Sequence, residues 1–106
     1  MAKYMIQASY TQSGVQGVLK EGGSGRRDAI GKLLADLGGS LEGFYFAFGQ
    51  DDVFVIADLP DNVTAAAIGL TVAASGAVTS RTVVLLTPEE IDRATQQSVA
   101  YRPPGA

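Results

Sequence analysis

The chain has 106 residues, a net charge of −3 and a pI near 4.7, which makes one domain with a core of modest size. Charged residues are 18% of it, below the roughly 25% usual in soluble domains, so more of its surface tolerates burial. Cys, His and Trp are absent, which excludes disulfides, thiolate nucleophiles, Cys-ligated metal centres and any Ser/His/Asp or Cys/His catalysis.

Residues 3–10, Lys3-Tyr4-Met5-Ile6-Gln7-Ala8-Ser9-Tyr10, alternate as a strand with one apolar face and one mixed face. Residues 11–21 hold a short helical turn, which Gly22-Gly23-Ser24-Gly25 breaks. Ser24 then caps a helix over 26–37, with Ala29, Ile30, Leu33, Leu34 and Leu37 as its apolar stripe. Gly38-Gly39 ends it. Two β-prone runs, about 40–48 and 53–59, meet at the turn Gly49-Gln50-Asp51-Asp52. Pro60 stops the second run, and Asp61 or Asn62 caps a helix over roughly 63–75 that Gly76 ends. A fourth strand covers about 77–86. Thr87-Pro88-Glu89-Glu90 has the residues of a capped helix start, and a short helix runs to about Ser98. Tyr101-Arg102-Pro103-Pro104-Gly105-Ala106 is an extended tail. The organisation is one domain over 1–98 and a tail over 99–106.

Strand, helix, strand, strand, helix, strand, helix is two βαβ halves joined by a hairpin. The fold class is α+β: a ferredoxin-like βαββαβ antiparallel sheet with helices on one face, plus a short C-terminal helix. One sheet face is then left open. A solvated face should be polar, yet the central strands are apolar on both. Val53, Val55, Ala57 and Leu59 oppose Phe54 and Ile56; Val83 and Leu85 oppose Val84 and Leu86; Phe44, Phe46 and Phe48 oppose Leu41, Tyr45 and Ala47. Phe54 and Val84 are assigned to the open face. Burying one such side chain contributes about 1.5–3 kcal/mol, so the face predicts a homodimer or higher homo-oligomer. The helix over 63–75 has no charged residue, which points the same way.

Ala8-Ser9-Tyr10-Thr11 followed by Gly14, Phe44-Tyr45-Phe46 with Phe48-Gly49, Leu59-Pro60-Asp61, and Leu85-Leu86-Thr87-Pro88-Glu89-Glu90 are stretches in which the chain resembles the GYD-domain family of bacterial proteins. The resemblance spans about residues 3–91. It implies a dimeric α/β-barrel-like assembly of the ferredoxin-like fold and implies no activity. The motif that names the family, Gly-Tyr-Asp or Gly-x-Tyr-Asp, reads Gly49-Gln50-Asp51-Asp52 here, with Asp51 in place of the Tyr. In relatives of the wider barrel group, clefts of this kind host monooxygenase or isomerase chemistry on small aromatic or lactone substrates.

Candidate sites come with plainer alternatives. Gly22-Gly23-Ser24-Gly25-Arg26-Arg27 offers backbone N–H groups and two cations to an anion; the plainer reading is a capped linker with solvated arginines. It lacks the phosphate-contacting Lys of a P-loop, so nucleotide hydrolysis is excluded. Asp51 and Asp52 form an acidic pair, or ordinary turn chemistry. Gln7, Ser9, Tyr45, Asp58, Thr79 and Arg81 are strand polars that line a cleft or satisfy one another at an interface. The ligand-binding set drawn from these is Ser9, Tyr10, Arg26, Arg27, Tyr45 and Asp52.

The reading is an oligomeric domain that binds a small anionic or aromatic ligand. A cofactor-independent enzyme using Tyr, Asp and Arg, and a structural or regulatory assembly subunit, are the alternatives. No metal and no cofactor are expected. The scattered Lys and Arg give no phosphate-tracking stripe, so no nucleic-acid partner is expected. No membrane partner is expected either, and the cytoplasm is the default location.

Overall fold

The computed structural model describes residues 1–106. The elements are β1 (Ala2–Tyr10), α1 (Gln12–Asp36), β2 (Ser40–Phe46), β3 (Val53–Leu59), α2 (Asn62–Ser75), β4 (Val78–Leu85) and α3 (Pro88–Thr95). The strands form one antiparallel sheet in the order β2-β3-β1-β4. That is the ferredoxin-like arrangement the element order predicts.

Burial alternates along β3: Val53, Val55, Ala57 and Leu59 are buried, while Phe54, Ile56 and Asp58 are half-buried. The buried set faces α1 and α2. It joins Tyr4, Leu34 and Ala65 in one cluster and Ala8 and Val78 in another. Tyr4 is almost fully buried and its hydroxyl donates to Asn62 Oδ1, so the polar tip is satisfied at the start of α2. The Asp61 carboxylate accepts the Thr64 N–H at 2.8 Å and caps that helix; Gly76 in left-handed conformation ends it.

The glycine run breaks α1 at one residue. Gly22 leaves helical geometry, at φ 80° and ψ 166°, so α1 is two helical segments that meet at a kink, and the second resumes directly after Gly22, so Ser24 is not a cap. That conformation is open essentially to glycine. The expected break between two helices is thus present but confined to Gly22, where four residues were expected to carry it, and Thr11 caps the start at Gln12. Gly23 at the bend lies under the Phe46 ring, where a Cβ would stand 3.1 Å from Cε2.

Two strand assignments are corrected. Leu41 pairs with Ala57 and Gly43 with the next residue of β3, Ile56, so β2 carries a bulge at Glu42. The extra residue puts Leu41 and Phe44 on the same, helix-facing side. Parity alone had set Leu41 with Tyr45. Val84 pairs with buried Tyr4, so it lies on the helix side and not on the open face. Its neighbours Val83 and Leu85 are on the open face. Phe54 is there as expected, opposite Tyr45 and Gln7. β2 also ends at Phe46, short of the expected 48, and Phe48 is fully exposed.

The open face thus carries Met5, Phe54, Ile56 and Val83 in its middle, with Leu85 beside Lys3 at one end. Charge brackets this strip. At one end Arg81 Nη2 meets Asp51 Oδ2 at 2.6 Å. At the other, Lys3 pairs with Glu42 and, at 3.0 Å, with Asp58.

Candidate ligand site

α1 and α2 each pack on the sheet but barely touch one another. Between them, over β1 and β4, lies a slot lined by apolar side chains that include Ile6, Ile30, Phe44 and Val72, with Ser80 and Thr82 at its floor. Tyr10 and Arg26 stand at its mouth and also line a second, polar groove along the inside of the α1 bend, beside Ser13, Lys20 and Glu21. The slot encloses about 60 Å³, too little for a ring. The groove holds about 560 Å³, within the roughly 300–1,000 Å³ of small-molecule sites. The pair offers a polar bed with an apolar recess beside it.

Local structure fixes both residues at the mouth. Tyr10 is the last residue of β1, and its backbone N–H donates to Asp52 Oδ2 at 2.9 Å. Asp52 is itself pinned, since its N–H donates to the Ala8 carbonyl and its carbonyl accepts from Ala47 N–H, both at 2.8 Å. Arg26 lies one turn past the Gly22 bend, which turns its side chain toward Tyr10. Its side chain is only 30% exposed, yet its single ion pair, to Glu21, spans 3.8 Å. That is a half-sheltered cation with its donors largely unspent.

Burial pushes the Tyr10 hydroxyl above its ordinary value near 10; the adjacent Arg26 guanidinium pulls the other way, and Asp52 and Glu21 add a smaller upward push. Tyr10 is therefore a neutral O–H donor at neutral pH. Two donors, one charged, face the same opening.

The structure separates the six residues singled out in the sequence. Tyr10 and Arg26 come together. Asp52 holds the Tyr10 backbone. Ser9 points to the opposite sheet face, where its hydroxyl donates to the Gln50 carbonyl at 3.2 Å and reaches Asp51 at 3.4 Å. Tyr45 is on that face too, across from Phe54 and well exposed. Arg27 lies on the outside of α1, paired with Asp28 at 3.3 Å. The strand polars Gln7, Ser9, Tyr45, Asp58, Thr79 and Arg81 all share the open face, so none lines the slot. Ser80 and Thr82 do, and were not singled out. Their signal was parity, since β4 places them beside Ala8 and Ile6.

A family model described as GYD domain matches residues 4–95. The chain belongs to the GYD-domain family. No curated protein and no solved structure matches it. The GYD match runs from β1 to the last residue of α3 and leaves the tail outside. Within this GYD domain, Asp51 bridges β1 and β4 through Ser9 and Arg81. No helix is long and apolar enough to cross a membrane.

Proposed function

We propose that this GYD-domain protein is a self-associating binding domain for a small apolar monoanion, held by Arg26 and Tyr10. The observation that carries the reading is the half-sheltered, weakly paired Arg26 guanidinium beside a neutral tyrosine hydroxyl at the mouth of an apolar slot. A carboxylate takes two N–H bonds from the guanidinium and one O–H bond from Tyr10, and its apolar edge enters the recess. Binding is favoured over turnover because Tyr10 is held protonated and the chain has no His or Cys to act as base near neutral pH. Self-association follows from the apolar strip of the open face, which matches a second copy of itself across a two-fold axis.

Butyrate, whose short chain is narrow enough for the recess, titrated into the protein and followed by amide chemical shifts tests the site. Shifts should centre on Tyr10, Arg26 and Ser80. Arg26→Ala should weaken binding by about 10- to 100-fold, the value of a charge-assisted hydrogen bond. Arg27→Ala should leave it unchanged, since Arg27 lies on the outer side of α1. Equal losses from both variants would make the effect one of net charge and would remove the site.

A further inference from the structure

The chain exposes 7239 Å², against about 5,600 Å² for a folded monomer of its mass. Its radius of gyration is 16.9 Å, against about 13 Å for a compact chain of this length. Every residue from Ile91 to Ala106 is exposed. Leu86, Ile91, Val99 and Tyr101 are 58%, 45%, 78% and 72% exposed. α3 buries no residue and makes almost no contact with the sheet or with α1 and α2.

α3 is nevertheless built as a helix. Thr87 Oγ1 accepts the Glu90 N–H at 3.1 Å, Glu90 Oε1 accepts the Thr87 N–H at 2.8 Å, and Pro88 opens the first turn. Leu86 and Ile91 have the spacing of a hydrophobic staple across that cap. A helix of eight residues is too short to be stable alone in water, and its stability comes from packing of an apolar side. In one copy that side stays partly open, with Ile91 45% exposed.

We propose that the arm from Leu86 to Ala106 packs on a second copy of this chain. The area argues for it. A surplus of about 1,600 Å² per chain, or about 3,200 Å² per pair, falls in the range of obligate homodimers. The open sheet face alone does not account for this. Four strands about 4.8 Å apart and about seven residues long at about 3.3 Å each give a footprint of only about 450 Å². Position agrees: Leu85 ends β4 on the open face and Leu86 begins the arm, so a copy seated on that face lies where the arm departs. The arm contact goes beyond the sheet pairing proposed above and is read by different variants.

The absence of cysteine makes Ile91→Cys a unique attachment point. Light and ¹⁵N-labelled Ile91→Cys chains are refolded together, labelled with benzophenone-maleimide and irradiated. Cross-linked peptides that join a light to a heavy chain are the expected result. Same-isotope links to the chain's own body, or none at all, overturn the proposal. In a second experiment, sedimentation equilibrium compares Ile91→Glu with Phe54→Lys. Ile91 is 45% exposed and α3 buries no residue in its own subunit, so Ile91→Glu should fold and weaken association about tenfold or more. If Phe54→Lys dissociates the assembly and Ile91→Glu does not, the sheet pairing stands and the arm contact is refuted. If only Ile91→Glu dissociates it, the arm contact stands and the sheet pairing fails.

Discussion

Gly14 and Gly17 lie three residues apart in α1, and alanine should act on them with opposite sign. A Cβ on Gly14 would sit 2.1 Å from the Ala77 carbonyl oxygen and 3.1 Å from the Tyr10 ring. A backbone oxygen cannot rotate aside. The same carbonyl accepts the Thr11 N–H at 3.0 Å, and the Thr11 hydroxyl donates to the Gly76 carbonyl at 2.9 Å. Moving α1 away to admit the methyl group therefore strains two hydrogen bonds that tie its start to β4. Overpacking costs about 1–3 kcal/mol, and the two bonds about 1 kcal/mol each. Alanine returns up to about 1 kcal/mol in helix propensity. The net is a loss of about 2–4 kcal/mol, a large share of the roughly 5–15 kcal/mol that holds a domain together, and a fall in Tm of roughly 10–25 °C. Gly17 has nothing within 4 Å of its Cβ position, so Gly17→Ala should stabilise by up to about 1 kcal/mol. Thermal and urea melts by far-UV circular dichroism, run at matched protein concentration, measure both. A Gly14→Ala protein as stable as wild type would mean that α1 does not cross β4 this closely, and the slot mouth it frames would be misplaced with it.

Three further outcomes test other parts of the molecule. Asp52→Ala strips the Tyr10 N–H of its acceptor and should lower stability by about 1–3 kcal/mol, read as a lower urea midpoint; an unchanged midpoint would show that the contact holds nothing. On the open face, Phe54→Lys should shift sedimentation toward monomer, whereas Val84→Lys, on the helix side, should leave association intact; the reverse order would invert the faces. The Asp61 carboxyl is held below its usual range by bonds from the Thr64 N–H and hydroxyl, so its ionised form favours the fold. That contribution is complete above the unfolded value near about 4 and is lost as pH falls through the lower folded value. Asp61→Asn removes it, so Tm should fall more steeply in wild type than in the variant below about pH 4; parallel curves would remove the cap from the acid response.

Periodicity showed the elements because each is a local pattern. β3 alternates, α1 after the bend carries its apolar stripe, and Thr87-Pro88-Glu89-Glu90 holds the atoms of its own cap. What stayed hidden depends on contacts between distant parts of the chain. The bulge at Glu42 is decided by which residue of β3 each residue of β2 meets, and its one local signal is the isolated Gly43 inside the strand. Val84 and Val83 look alike in sequence; only pairing with Tyr4 and Met5 tells their faces apart. The glycine run marked the break between the two helical segments but not its width. Four such residues permit a break, and only Gly22 takes a non-helical conformation.

That bend also explains why the site was half legible. The sequence places Arg26 in a glycine-rich anion-binding turn, and that turn shrinks to the single kink at Gly22. Arg26 reaches Tyr10 from the helical segment that starts after the kink, so the residue survives while the reason for it changes. Ser9 and Tyr45 fared the other way, since each is polar, on a strand and near the named motif, yet sheet pairing turns both to the face opposite the slot. Strand parity made this separation available from the start. Ser9 and Tyr10 are neighbours and must point to opposite faces, so they could never have served one site. Tyr10 goes with the buried Tyr4 and Ala8, which commits any shared site to the helix side, and on that side Arg26 is the one cation lining the slot.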